Sequence, residues 1–380
     1  MNVGMTEQQA RFRERVREFA RASCLDRDIV QSDRDSRFNR KAWDACGRFG
    51  LLGGPVPKEF GGAGLDLVTY VSGLEALGEA SRDNGLMFAM GAHVFACELS
   101  ILDYGSAAQR QRWLPDLCSG AKIAAIAVAE QHGASDAFDM RTTAEARGEG
   151  YLLNGRKSYV TNAPFCDVAL VFARLLGKED TIVCLLVERE NPGMVRSAAV
   201  EKMGVRTAPF GEIEFRDCWV PGDACVGKPS SGKLVFMSAM EWERGCLLAP
   251  FVGGMQRQLD LCIEHARSMA GRSRPLSTHQ AIAHRLADMK VRLEVARLVL
   301  YNFACKKQTA RHAHLEASIA KLVISESIVQ NALDAVQIYG ARGYTCELGM
   351  ERELRDAIGT RIASGTSDIQ RNIIAKYLHL

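Results

Sequence analysis

The sequence lacks the signals that mark nucleic-acid-binding, membrane-spanning or secreted proteins. Its formal net charge is only +3, which is too small to indicate a nucleic-acid partner. We expect no apolar run near the roughly 20 residues that a membrane span needs. The start of the chain, around Thr6, also lacks the apolar segment of a signal peptide. The expectation is therefore a soluble, cytoplasmic protein that binds neither nucleic acid nor membrane.

Two common patterns for binding metals or nucleotides are also missing. The 12 cysteines are scattered singly, without paired spacing or an accompanying histidine group, so we interpret them as reduced core residues and expect no metal site. No glycine-rich loop joins a strand to a helix, which argues against a doubly wound dinucleotide fold. A nucleotide cofactor would need another kind of site.

What the sequence does contain is a change of hydrophobic period along its 380 residues. Residues 1–118 repeat apolar positions three and four apart, which predicts helices, with Met87–Ala96 buried. Residues 119–228 carry short β-branched runs between turns, which predicts a β-barrel or sandwich. Residues 229–380 return to the helical period. The sequence thus predicts an α+β fold with an N-terminal helical domain, a middle β domain and a C-terminal helix bundle. One long stripe in the bundle should face another helix: Ile282, Leu286, Met289, Leu293, Ala296, Leu300 and Phe303.

The first segment with ligand-binding chemistry follows a strand-like run that contains Ile126 and Val128. From Ala129 to Asp136 it is rich in small residues, which let a planar ligand approach backbone amides and the Ser135 hydroxyl. An ordinary loop is the commoner explanation of such a segment alone, and His132 is expected to face solvent.

The second segment carries an aromatic ring and a hydroxyl group, and the third segment ends a helix. Tyr159 and Thr161 alternate onto one strand face, where they could cover a flavin ring, although a simple β-sheet aromatic is the alternative. Gln337, Gly340 and Ala341 end a helix, where a flexible backbone lets a diphosphate come close. A plain helix C-cap explains that pattern equally well.

The fourth segment, Ser364–Gln370, opens the last helix. Thr366 and Asp368 offer capping groups, and the free amides of a helix N-terminus favour anions. Capping alone is again the alternative interpretation.

In their order and spacing, the four segments resemble those of the acyl-CoA dehydrogenase family, over essentially the whole chain. Glu130, Ser135 and Asp136 match the family's Glu-Pro-Gly-Ala-Gly-Ser-Asp loop, and Tyr159 stands at the tryptophan of Trp-Ile-Thr-Asn. The third segment is similar to Gln-Ile-x-Gly-Gly, and the fourth to Gly-Thr-Ser-Glu. The resemblance implies FAD, with these residues at the cofactor: Ile126, Val128, Ala129, Ser135, Tyr159, Thr161, Arg272, Gln337, Gly340, Ala341, Thr366 and Asp368.

The resemblance also implies an assembly and points to one departure. The Gln337 and Thr366 segments would serve the dinucleotide across a subunit interface, so a homodimer or homotetramer is expected, together with an electron acceptor. Where relatives read Arg-x-Gln-Phe-Gly-x-Pro, residues 269–275 read Met-Ala-Gly-Arg-Ser-Arg-Pro. Arg272 or Arg267 is expected to substitute for the missing arginine.

The position of the catalytic base distinguishes branches of the family. Many members place a glutamate just before Gly-Thr-Ser, where this chain has Ser364. Isovaleryl-CoA dehydrogenase-like members carry it in an earlier helix, in a Leu-Glu-Arg context that Trp242-Glu243-Arg244 resembles. Glu243 is therefore the predicted base, while Glu241 should point to a different helix face. Contacts to the substrate are expected from Ser135, Trp242, Arg244, Ser364 and Gly365.

The resemblance implies that Glu243 removes a Cα proton while a hydride leaves Cβ for the flavin, with burial raising its pKa towards neutrality. Several segments resemble enzymes acting on carrier-protein-bound substrates, such as L-prolyl-carrier-protein dehydrogenases of natural-product pathways. The expected substrate is an acyl or aminoacyl thioester on a carrier protein or CoA. A short- or branched-chain acyl-CoA dehydrogenase is the alternative. A flavin monooxygenase or a non-catalytic flavoprotein of the same fold represents another class.

Overall fold

The computed structural model describes residues 5–24, 28–133, 137–268 and 274–380. Its first part is helical, and local capping explains where helices begin: Thr6 with Gln9, and Ser106 with Gln109, form reciprocal capping boxes. The helices are α1 (Glu7–Ser23), α2 (Ile29–Arg34), α3 (Arg40–Phe49), α4 (Leu67–Ala80), α5 (Asn84–Gly91), a π-helical stretch (Ala92–Glu98), α6 (Leu99–Tyr104) and α7 (Ala107–Cys118), with a 3₁₀ turn at Lys58–Phe60.

The buried helix predicted over Met87–Ala96 is confirmed and extends further in both directions. Together α5, the π-helical stretch and α6 form a continuous helix of 21 residues, Asn84–Tyr104. The mean hydropathy of its most apolar window is 1.6. The prediction that no apolar run reaches the length of a membrane span is therefore wrong for this segment. Its most apolar window is 89% buried inside the protein, as expected of a core helix.

The middle part forms a single curled sheet of seven strands in the described residues. The strand order is β1-β4-β2-β3-β7-β6, and β5 pairs with β4. β4 runs parallel to β1 and β2 and antiparallel to β5, so the sheet is mixed. The strands are β1 (Ala124–Ala127), β2 (Thr143–Arg147), β3 (Gly150–Thr161), β4 (Val168–Leu175), β5 (Ile182–Glu188), β6 (Met194–Arg196) and β7 (Phe210–Pro221), followed by a 3₁₀ turn at Gly222–Ala224.

Both faces of this sheet are covered, which explains the unbroken apolar runs of its central strands. Along β4, Leu170 and Phe172 belong to the large core shared with the helices. The intervening residues Val171 and Ala173 belong to a second core inside the β domain. The predicted β domain is thus present, and its sheet positions the end of β1 against the N-terminal helices.

The last part is the predicted helix bundle. Five residues of the predicted stripe are buried, and Ile282 and Leu286 pack against them at its end. Gly245 lets two helices approach closely, because a Cβ there would lie 2.0 Å from the Phe303 ring. The helices are α8 (Gly232–Cys246), α9 (Ala249–Ser268), α10 (Gln280–Thr309), α11 (His314–Tyr339), α12 (Ala341–Tyr344), α13 (Met350–Thr360) and α14 (Ser367–Tyr377), with a 3₁₀ turn at Leu276–Thr278.

Most cysteines are buried and free, as expected for reduced core residues. Three cysteines are exceptions: Cys305 and Cys346 are exposed, and Cys225 is partly exposed.

Candidate active site

Glu243 of α8 meets the turn between α13 and α14. Only 6% of the residue is exposed, and its Oε2 accepts a hydrogen bond of 2.8 Å from Ser364 Oγ. The fold therefore brings the predicted base and the serine of the fourth segment together, although they are 121 positions apart in the chain.

The turn that carries Ser364 is held in an unusual backbone conformation. Ser364 has a φ of 56° and Gly365 a φ of 93°, in the left-handed region that favours glycine. Arg244 Nε donates to the Ser364 carbonyl at 3.0 Å. Gln370 Nε2 donates to the Gly365 carbonyl at 2.9 Å. These bonds fix the turn against α8, so the Ser364 hydroxyl stays directed at the carboxylate.

The environment of Glu243 prepares it to exchange a proton near neutral pH. Burial raises its pKa to about 7, although the Ser364 hydrogen bond and the charge of Arg244 act in the opposite direction. A base is most effective when its pKa lies near the working pH. A strongly shifted carboxylate with a defined partner is a candidate functional group.

The π-helical stretch forms another side of this site. The pKa of Cys97 is raised well above its usual value by burial and also by the nearby charge of Glu243. Glu243 thus lies where the N-terminal helices, α8 and the Ser364 turn meet.

Glu241 and Trp242 are directed elsewhere. Glu241 is fully buried and accepts a bond of 3.0 Å from Lys307, so it lies on a different side of α8, as predicted. Trp242 Nε1 donates to Asp103 Oδ2 at 3.1 Å, and Lys307 lies over its ring at 4.7 Å. The polar edge of Trp242 is therefore already occupied, and its contact with substrate stays a prediction.

The end of β1 is tied to β3 by a buried ion pair that the sequence pattern did not reveal. Lys157 Nζ donates to Glu130 Oε1 and to the Val128 carbonyl, both at 2.8 Å. Burial opposes ionisation of Glu130, but Lys157 and the Thr142 amide outweigh it and hold the Glu130 pKa at about 2. The predicted cofactor residues Ile126, Val128 and Ala129 are half-buried at this strand end. The His132 side chain, expected to face solvent, is only 26% exposed and lies against Glu130, with Nδ1 3.6 Å from Glu130 Oε2.

Tyr159 and Thr161 lie beside this strand end, at an irregularity in β3. The register of β3 with β7 shifts between Lys157 and Val160, which interrupts the simple alternation expected for this strand. Tyr159 has a φ of 61° and is 54% exposed, an unusual combination for an aromatic residue. Asn162, whose role the sequence pattern also did not indicate, donates to the Ala89 carbonyl at 3.1 Å and joins the sheet to α5.

The two remaining groups of predicted cofactor residues lie in different places. Thr366 caps α14 by accepting from the Ile369 amide, directly after the Ser364 turn, and Asp368 is exposed beside Arg371. Gln337, Gly340 and Ala341 are exposed at the end of α11. Ser135 and Arg272 lie outside the described residues, while Arg267 is exposed on α9.

A cavity of about 540 Å³ lies away from Glu243, between α1, α4, α9 and α10. Arg13 and Arg297 line it and pair with Glu75 at 3.1 and 2.9 Å. These charges satisfy one another, so we interpret the cavity as part of a structural ion-pair network.

The structure combines two helical domains, a curled sheet and a buried carboxylate with a pKa near neutrality. These features together indicate a class of enzyme, and sequence comparison identifies that class. Residues 6–121, 125–218 and 230–379 match the N-terminal, middle and C-terminal domains of acyl-CoA dehydrogenase. The chain belongs to the acyl-CoA dehydrogenase family, which confirms the resemblance of the four segments.

Several similar proteins act on carrier-protein substrates according to their names. An L-prolyl-[peptidyl-carrier protein] dehydrogenase of Pseudomonas fluorescens is 39% identical over 361 residues, covering 94% of this chain and 95% of that protein. The crystal structure of the prolyl acyl carrier protein oxidase AnaB superposes with a TM-score of 0.97 at 42% identity, covering 99% of this chain and 100% of the other. The structure of PigA with FAD and proline superposes with a TM-score of 0.96 at 35% identity over the full length of both chains.

Proposed function

We propose that the protein is an FAD-dependent dehydrogenase that oxidises the Cα–Cβ bond of an acyl or aminoacyl thioester on a carrier protein, in a natural-product pathway. The observation that carries the chemistry is the buried Glu243, whose pKa is about 7 beside the Ser364 hydroxyl. The carrier-protein preference is supported by the named activities of similar proteins that match nearly the whole chain.

The residues around β1 and β3 fit a flavin. The backbone amide of Ser158 donates to the Ala129 carbonyl at 2.9 Å, so the exposed Tyr159 ring and the Thr161 hydroxyl lie next to the strand end. An exposed aromatic residue held at positive φ costs free energy, and such strain often marks a ligand site. We infer that Ile126, Val128, Tyr159 and Thr161 hold the isoalloxazine end. When bound, FAD supplies the acceptor for the hydride that leaves Cβ.

Glu243 performs the proton transfer in this proposal. Its ionised carboxylate accepts the Cα proton, and the electron pair of that C–H bond becomes part of the new double bond. Ser364 holds Oε2 by its hydrogen bond, which keeps the carboxylate oriented and opposes the effect of burial on its pKa. Exclusion of water by the surrounding helices strengthens these electrostatic effects.

The placement of Gln337, Gly340 and Ala341 supports an oligomer. They are exposed on this chain at the end of α11, whereas Thr366 follows the Ser364 turn. We infer that the α11 residues serve the cofactor of another copy in a homodimer or homotetramer. Exposed apolar residues on one side of α10, Val291, Val295 and Leu298, are suitable for such contact.

The proposal is tested by incubating the FAD-loaded protein with separate prolyl, other aminoacyl and acyl carrier proteins, and with short- and branched-chain acyl-CoAs, in the presence of an electron acceptor. Mass spectrometry of the recovered thioesters should show loss of two or four hydrogens from a carrier-protein substrate. Turnover of acyl-CoA alone would overturn the carrier-protein preference. Oxygen insertion into a product would overturn the dehydrogenase assignment in favour of a monooxygenase.

A further inference from the structure

Glu241 is a buried carboxylate that the proposed reaction does not use. Its Oε1 accepts hydrogen bonds from Lys307 Nζ, at 3.0 Å, and from the Ala313 amide. Its Oε2 is buried and has no hydrogen bond within the described part of the chain. A buried carboxylate oxygen without a hydrogen bond costs free energy, so a ligand bound to this atom would stabilise the protein.

Two histidines approach the unsatisfied oxygen: His312 lies in the loop between α10 and α11, and His314 is the first residue of α11. His314 Nδ1 lies 3.2 Å from Glu241 Oε2, and His312 Nδ1 lies 3.7 Å from it. The two imidazole rings are stacked, with planes inclined by only 11°. The three ligand atoms all lie within 4.8 Å of one another.

These distances are compatible with a shared metal ion as well as with direct contact between Glu241 and His314. A tetrahedral Zn²⁺ has its nitrogen and oxygen ligands at about 2.0–2.2 Å, which places neighbouring ligand atoms about 3.3 Å apart. The separations between Oε2 and the two Nδ1 atoms, 3.2 and 3.7 Å, are close to that value, so the three ligand atoms are near enough to share one ion.

The surroundings of Glu241 are also those of a metal ligand. Lys307 and the Ala313 amide hold Oε1, which leaves Oε2 oriented towards the histidines, as groups behind a metal ligand commonly do. The His312 side chain is 53% exposed, so water can reach the open coordination position and an ion can enter. Two imidazole nitrogens with one carboxylate oxygen suit borderline transition-metal ions rather than Ca²⁺ or Mg²⁺.

We propose that Glu241, His312 and His314 bind one Zn²⁺ ion, which fastens the loop between α10 and α11 to α8. This site is separate from the base, because Glu243 faces Ser364 on another side of the same helix. It also departs from the expectation of no metal site. The sequence pattern did not indicate this site, because Glu241 is distant in sequence from His312 and His314. The two histidines also lack an accompanying cysteine.

The proposal is tested by titrating the metal-free, FAD-loaded protein with Zn²⁺ against a chelating indicator. The wild-type chain should bind one equivalent, and the double variant H312N/H314N should lose that binding. The matched control H279N/H284N removes two exposed histidines at the start of α10 and should bind as wild type does. Wild-type protein without a bound equivalent, or equal binding by H312N/H314N, would overturn the proposal.

A second measurement needs only the wild-type protein and decides the case even if the double variant does not fold. X-ray absorption at the zinc edge should show nitrogen and oxygen neighbours at about 2.0–2.1 Å and none of the sulfur neighbours expected at about 2.3 Å. A sulfur shell would assign the ion to cysteines such as Cys305 and Cys346, which are exposed, and would contradict the proposed ligands.

Discussion

Ser364 Oγ donates a hydrogen bond of 2.8 Å to Oε2 of Glu243. The serine that occupies the place of the base in many relatives is therefore the hydrogen-bond partner of the predicted base. The Ser364 hydroxyl is thus a polar partner of the Glu243 carboxylate, and its hydrogen bond lowers the pKa of that carboxylate. The energetic consequence can be measured through the pH dependence of flavin reduction.

Replacing Ser364 by alanine should move that pH dependence upwards. The Ser364 hydrogen bond lowers the Glu243 pKa, against burial, which raises it to about 7. A hydrogen bond to a charged group contributes about 1.5–3 kcal/mol, equivalent to roughly one to two pKa units. Stopped-flow measurement of flavin reduction against pH should give S364A a midpoint at least about one unit above wild type. An unchanged midpoint would show that the hydroxyl does not act on the base.

Ionisation of Glu243 should reduce the stability of the folded protein. Its pKa is raised to about 7 by burial, whereas an unfolded glutamate titrates near 4.3. The folded state therefore binds more protons between these pH values, and stability falls as pH rises through this window. Glu243→Gln should be more stable than wild type at pH 8, by up to about 3 kcal/mol.

The same comparison at about pH 4 supplies the control for this prediction, because the wild-type carboxyl is then protonated in the folded state. The difference in Tm between Glu243→Gln and wild type should be small there and grow towards about pH 8. A difference that does not depend on pH would mean that Glu243 titrates normally in the folded protein.

Breaking the buried pair between Lys157 and Glu130 should destabilise the protein and weaken flavin retention. Lys157→Met leaves the Glu130 carboxylate, which is 4% exposed, without its 2.8 Å cationic partner. Loss of one partner of such a pair typically costs about 3–5 kcal/mol. Urea unfolding measures the stability, and the ratio of flavin to protein absorbance measures retention. The double variant K157M/E130Q should recover part of the loss, and additive effects would contradict the coupling.

Gly245 and Gly254 form a matched pair for testing how closely α8 packs on α10. A Cβ at Gly245 would lie 2.0 Å from the Phe303 ring, whereas at Gly254 in α9 the nearest atom is the Arg257 guanidinium nitrogen at 3.6 Å. Gly245→Ala should therefore destabilise by about 1–3 kcal/mol through overpacking. Gly254→Ala should be neutral or stabilising by up to about 1 kcal/mol, because alanine favours helices. Equal effects on thermal unfolding would contradict the close approach of α8 to α10 at Gly245.

The sequence predicted the features that depend on local periodicity and on ordered segments. The helical stripe from Ile282 to Phe303 is an example, because its spacing alone identifies a buried helix face. The sequence also nominated Glu243 and Ser364 separately, but nothing local predicted the hydrogen bond that joins them. Such contacts depend on how elements far apart in the chain pack together.

Three further features could not be predicted from the sequence for the same reason. The Lys157–Glu130 pair requires the register between the end of β1 and β3, and Tyr159 has a positive φ because β3 is irregular there. The approach of His312 and His314 to Glu241 depends on the packing of the α10–α11 loop and the start of α11 against α8. In each case the sequence gives the side chains but does not show which residues they contact in the folded protein.

The central claim is tested most directly by single-turnover flavin reduction in the Glu243→Gln variant, with the carrier-protein substrate found active for wild type. Glu18→Gln, an exposed position on α1, is the control and should behave as wild type. Glu243→Gln should retain FAD and reduce it about 10²–10⁴-fold more slowly, since it lacks the general base. Flavin reduction at the wild-type rate in FAD-loaded Glu243→Gln would contradict the assignment of Glu243 as the base.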